Sequence, residues 1–160
     1  MASKQSKVIA PPQPCPEVGD VTDAAATGSR QPGVLVVDDD PVLLALLKVA
    51  LARNGFEVWE AKSGAEAIQT YQREQSRINI VLLDVRMPGQ DGPRTLVELQ
   101  RINAAVTCCF MSGYTGDYSL ADLLNCGAVH FFEKPFRMDE IVRVLGCLAQ
   151  EQAEREATSA

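Results

Sequence analysis

Four short apolar runs in this chain each lead into a side chain that can do chemistry. Asp38, Asp39 and Asp40 follow the run 34–37, and Asp84 follows 78–83. Ser112 follows 107–111, and Lys134 stands just beyond 129–132. Carboxylates that converge repel, which raises the pKa of at least one until a cation neutralises the set. A hard divalent ion suits such all-oxygen donors, and Mg²⁺ takes one or two carboxylates, several waters and phosphate oxygens. An aspartate can also attack phosphorus to give an aspartyl phosphate. The metal, an ammonium and a hydroxyl then hold the charge of the transferring group. That chemistry needs two metal-binding acids, a third acid as acceptor, and Lys with Ser or Thr as clamps. Each is present at the end of an apolar run.

The pattern between those runs is what must position them. Short continuous apolar runs read as strands buried on both faces. Residues 56–61 form a weaker strand, with Glu57 and Glu60 among Phe56, Val58 and Ala61, as an edge strand would be. Trp59 on that edge is expected to be partly buried. Helical stretches alternate with the strands. One opens at Asp40-Pro41, a cap followed by a first-turn proline, and stops at Asn54-Gly55. Ser63-Gly64-Ala65-Glu66 reads as a capping box opening a second helix to about 75. Others are expected over 93–102, 118–125 (ended by Gly127) and 138–150. Five strand-then-helix units mean a parallel sheet covered by helices on both faces, an α/β fold in three layers. Ligands bind such sheets at the carboxyl ends of the strands, where the aspartates, the serine and the lysine fall.

The chain has 160 residues, 46% hydrophobic and 22% charged, which favours one domain of ordinary composition. Residues 1–32 contain five of the nine prolines and no aromatic residue, and they read as a disordered leader. The domain is expected over 33–150, followed by a polar tail, 151–160, that reads as a fraying helical end. The net charge of −6 disfavours direct nucleic-acid binding. No apolar run approaches the roughly 20 residues of a membrane span. No apolar segment follows Lys4 and Lys7, so a signal peptide is not expected. The five cysteines, Cys15, Cys108, Cys109, Cys126 and Cys147, read as reduced thiols used as small core residues, in keeping with the cytoplasm.

Taken in order, the motifs resemble a known family. They are Val36-Val37-Asp38-Asp39-Asp40-Pro41, Leu83-Asp84 with Met87-Pro88-Gly89 and Asp91-Gly92, Met111-Ser112-Gly113, and Phe132-Glu133-Lys134-Pro135-Phe136. Each is weak alone, but together the chain over about 33–150 resembles the response-regulator receiver (CheY-like) domain. The resemblance implies a flavodoxin-like (βα)5 fold with strand order 2-1-3-4-5. It implies that Asp38 and Asp39 hold Mg²⁺, with Asp84 and the backbone carbonyl of Arg86 as further ligands. Asp84 would accept a phosphoryl group from a phosphohistidine on a sensor histidine kinase or histidine phosphotransfer protein. Ser112 and Lys134 would contact the phosphoryl oxygens, and Lys134-Pro135 would be a cis peptide. Ser112 and Phe131 would act as the switch, reshaping the face of the fourth helix, fifth strand and fifth helix for a downstream protein or a phosphorylation-dependent dimer. Arg86 and Tyr114 occupy the positions that tune dephosphorylation, and both are bulky. With only short segments flanking 33–150, the expectation is a stand-alone receiver acting through protein contacts or as a relay.

Plainer readings apply to several residues. Asp40 reads as a helix cap, Asp91-Gly92 as turn chemistry and His130 as an ordinary strand residue. A rival resemblance remains: Asp38-Asp39-Asp40-Pro41-Val42-Leu43 also matches the D-x-D-x-[TV]-L motif of haloacid-dehalogenase-type phosphohydrolases, with Asp38 as nucleophile and Asp40 as acid/base. That reading leaves Asp84 unexplained and wants a later acidic pair, whereas Asp139-Glu140 opens the last helix. A non-phosphorylated scaffold of the same fold is the other alternative.

Overall fold

The computed structural model describes residues 30–114 and 116–159. The leader reading falls largely on 1–29, which lie outside the described residues together with Thr115, Ala160 and, within 1–29, Cys15. Five strands alternate with five helices: β1 Gly33–Val37, α1 Pro41–Arg53, β2 Glu57–Ala61, α2 Gly64–Glu74, β3 Ile80–Asp84, α3 Gly92–Ile102, β4 Thr107–Ser112, α4 Leu120–Asn125, β5 His130–Glu133 and α5 Met138–Thr158. The sheet order is β2-β1-β3-β4-β5 and every pair is parallel, the expected flavodoxin-like topology.

The period of two along each central strand divides the core into two layers. Leu35, Val37, Val81, Leu83, Cys108 and Phe110 pack on one face with side chains of α2, α3 and α4. Val34, Val36, Ile80, Leu82, Cys109 and Met111 pack on the other with α1 and α5. Burying each large aliphatic chain stabilises the fold by about 1.5–3 kcal/mol, and the two clusters hold β1, β3 and β4 from both sides. The adjacent thiols Cys108 and Cys109 therefore sit on opposite faces, both fully buried. Burial raises both thiol pKa values, that of Cys109 to about 12, so these thiols stay protonated.

Helix starts are set by side-chain caps. Asp40 accepts from the amides of Val42 and Leu43 at the head of α1, whose Leu44, Leu47 and Leu51 are buried. The helix stops at Asn54, and Gly55 takes φ +85°. Ser63 accepts from Glu66 at the head of α2, but Glu66 reaches back to the Lys62 amide, one residue earlier than a capping box requires. Asp91 is more than a turn residue: it caps α3 by accepting from the Arg94 amide. Gly92 is needed beside it, because a Cβ there would lie 2.4 Å from the Asp84 carbonyl oxygen.

Two helices differ from the sequence expectation. The fourth begins at Leu120 rather than 118, because Ser119 and Asp122 form a reciprocal capping box and the Tyr118 hydroxyl donates to Asp91. The fifth runs on to Thr158, past the expected end at 150. There Gln152 donates to the Asn79 carbonyl at 3.0 Å and to Thr107, tying the extra turns to the starts of β3 and β4. No helix among the described residues is long and apolar enough to cross a membrane.

Candidate functional site

The sheet register assembles the site. β1 and β3 are neighbours with Val37 opposite Leu83, so the next residues, Asp38 and Asp84, emerge side by side. β4 places Met111 opposite Asp84, which sets Ser112 one step further along. β5 pairs Glu133 with Ser112, and the Lys134 amide donates to the Ser112 carbonyl at 3.0 Å. The Lys134-Pro135 bond is cis, as the resemblance implied.

Asp38, Asp39 and Asp84 each offer a carboxylate oxygen, and these oxygens lie within 4.8 Å of one another. Asp38 and Asp84 are buried and Asp39 is exposed. Both oxygens of Asp38 are engaged: Oδ1 accepts from the Asp40 amide at 2.8 Å and Oδ2 from Lys134 Nζ at 2.7 Å. The same ammonium lies 3.6 Å from Asp84 Oδ1. Burial and the charge of Asp38 raise the Asp84 pKa to about 6, with Asp39 adding to the effect. Lys134 and the backbone of Arg86 oppose the rise. The lysine thus offsets the repulsion only in part. Three convergent carboxylates, with the Asp84 pKa raised, are a donor set that a hard divalent cation fits.

Ser112 is buried, and its hydroxyl is turned into its own loop. It donates to the Tyr114 carbonyl at 2.6 Å and accepts from the Tyr114 amide at 3.2 Å. The Arg86 guanidinium lies over the exposed Tyr114 ring, 5.0 Å from its centroid. Sequence reasoning placed both residues near the site, but nothing in their spacing signalled that they touch. Phe131 is half-buried and packs on the layer formed with α2, α3 and α4. His130 lies against the Phe132 ring, 4.6 Å between centroids, as a strand residue.

Asp40 does not join the cluster; one of its oxygens is used in capping α1. Asp139 is exposed and paired with Arg137 at 2.9 Å. Neither residue is therefore placed as the phosphohydrolase reading needs, and that reading is not favoured.

A doubly wound parallel sheet carrying an acidic cluster and a lysine at its carboxyl edge is the arrangement that the receiver resemblance implied. The family model described as response regulator receiver domain matches residues 34–146, and the chain belongs to that family. It is 32% identical over 113 residues to the chemotaxis protein CheY of Bacillus subtilis (strain 168), covering 70% of this chain and 92% of that protein. It is 36% identical over 116 residues to the transcriptional regulatory protein PrrA of Mycobacterium tuberculosis (strain ATCC 25618 / H37Rv), covering 72% of this chain and 49% of that protein. A receiver-domain crystal structure from Clostridium thermocellum aligns with TM-score 0.71 at 25% identity, over 76% of this chain and 97% of that one. A chain of the CheX-CheY-BeF3-Mg+2 complex from Borrelia burgdorferi aligns with TM-score 0.65 at 27% identity, over 70% of this chain and 84% of that one. The chain is a phospho-acceptor response regulator of two-component signalling.

Proposed function

We propose that Asp84 is the phospho-acceptor of this response regulator and that its donor is a phosphohistidine on a sensor kinase or histidine phosphotransfer protein. The observation that carries this reading is the placement of Asp84, buried at the end of β3 between the acids of β1 and the lysine beyond β5. One Asp84 oxygen attacks phosphorus; the oxygen–phosphorus bond forms as the phosphorus–nitrogen bond to histidine breaks, and the imidazole leaves with that electron pair. Asp38, Asp39, Asp84 and the Arg86 carbonyl would hold Mg²⁺, which supplies charge neutralisation at the phosphoryl oxygens. Lys134 moves its ammonium from Asp38 toward the new dianion, and Ser112 gives up its loop bonds to donate there. Phe131 follows into the space that Ser112 leaves, which reshapes the face of α4, β5 and α5 for a downstream protein or a second copy. Arg86 and Tyr114, which are bulky and touch each other, would slow the approach of hydrolytic water. The buried, protonated Cys108 and Cys109 suit a reducing cytoplasm.

Acetyl phosphate with Mg²⁺, followed by peptide mapping, tests the acceptor. The expected adduct is on Asp84. An adduct on Asp38 would instead favour the phosphohydrolase chemistry.

A further inference from the structure

We infer that Arg86 and Tyr114 form a positioning pair that keeps the Ser112 hydroxyl turned away from Asp84, and that the Arg86 guanidinium releases it by exchanging the Tyr114 ring for the phosphoryl oxygens. This inference rests on Asp84 being the acceptor. Three contacts converge on one short stretch of backbone. Ser112 makes both of its hydroxyl bonds to the backbone of Tyr114, so the hydroxyl stays turned only while that backbone stays in place. Tyr114 is 66% exposed, and its ring lies under the Arg86 guanidinium. The same guanidinium lies against Gly116, 3.6 Å from where a Cβ on that residue would stand. Arg86 thus rests on residues to either side of position 115 and braces Tyr114 from outside.

Arg86 also stands two residues beyond Asp84, just past the end of β3. A guanidinium over an exposed aromatic ring gains little, whereas a charge-assisted bond to a dianion gains more. A phosphoryl group on Asp84 would therefore outbid the ring. Once the guanidinium leaves, Tyr114 loses that brace and keeps its two bonds to Ser112, and Ser112 can turn toward the phosphoryl oxygens. The pair imposes a small cost on phosphorylation and couples it to the movement of Ser112.

Beryllofluoride with Mg²⁺, which mimics the phosphoryl group on an aspartate, gives the test by titration of the full chain. Tyr114→Ala removes the ring but keeps Arg86, so it is expected to bind about two- to fivefold more tightly than wild type. Tyr114→Phe keeps the ring and is expected to retain the wild-type affinity. Arg86→Gln added to Tyr114→Ala loses the anion contact and is expected to weaken binding by roughly tenfold or more. A merely structural role for the ring would weaken Tyr114→Ala instead. Equal affinity of wild type and Tyr114→Ala, or no loss on adding Arg86→Gln, overturns the inference while leaving the acceptor reading intact. If wild type binds no better than Asp84→Asn, the acceptor reading fails and this inference falls with it.

Discussion

Lys134 Nζ donates to Asp38 Oδ2 at 2.7 Å, so the lysine from the edge strand β5 reaches across β4 and β3 to the acid that ends β1. Asp38 is 1% exposed, and its other oxygen is held by the Asp40 amide. The contact ties the two ends of the acidic edge together and offsets part of the repulsion there. The lysine side chain is only partly buried, so solvent screens the pair and its removal should cost less than a fully buried bridge. Lys134→Met is expected to lower stability by about 1–2 kcal/mol without metal, with part of the loss recovered by Mg²⁺. Urea unfolding with and without Mg²⁺ measures both.

The raised Asp84 pKa sets a pH dependence. The folded state holds a proton up to about pH 6, whereas the unfolded chain loses it near the ordinary value of 3.8. Between those values the folded state binds more protons, so metal-free stability falls as pH rises through the window. Mg²⁺ competes with that proton, and its stabilisation should be larger near pH 7.5 than near pH 5. Asp84→Asn should flatten the metal-free dependence. Thermal unfolding at several pH values, with Mg²⁺ and with a chelator, reads each expectation.

Two glycine substitutions should have opposite signs. Gly92→Ala drives a Cβ to 2.4 Å from the Asp84 carbonyl oxygen, and the first turn of α3 must move off β3. A loss of about 1–3 kcal/mol is expected. A Cβ at Gly146, within α5, meets nothing within 4 Å. Gly146→Ala should stabilise by about 0.5–1 kcal/mol from helix propensity alone. Denaturant midpoints on the two variants check the contrast.

Asp40 separates the two chemistries that its neighbourhood suggests. Because it caps α1, Asp40→Ala should cost about 1 kcal/mol of stability. Phosphorylation by acetyl phosphate should continue in that variant. Its loss would assign Asp40 a chemical role that its capping position does not provide.

The three central strands were legible because each is a run buried on both faces, and β2 was legible as an edge strand from its interspersed glutamates. The ends of α4 and α5 were not. α4 is a six-residue helix whose start depends on a Ser119–Asp122 box and on Tyr118 bonding Asp91, 27 positions away. The later turns of α5 are polar in sequence and are tied by Gln152 to β3 and β4, a tertiary contact that no local pattern announces. At the site, strand-end placement was enough to bring Asp38, Asp39 and Asp84 into one group. It did not tell that Lys134 sits nearer Asp38 than Asp84, nor that Ser112 turns into its own loop. Those choices are made by side-chain rotamers and the charge balance of the folded edge, which spacing along the chain does not encode.

Intact-mass measurement after exposure to acetyl phosphate tests the acceptor most directly. Wild type is expected to gain one phosphoryl group with Mg²⁺ present and none with a chelator, while Asp84→Asn gains none in either case. A wild-type protein that stays unmodified with Mg²⁺, or an Asp84→Asn variant modified as readily as wild type, would contradict the assignment of Asp84.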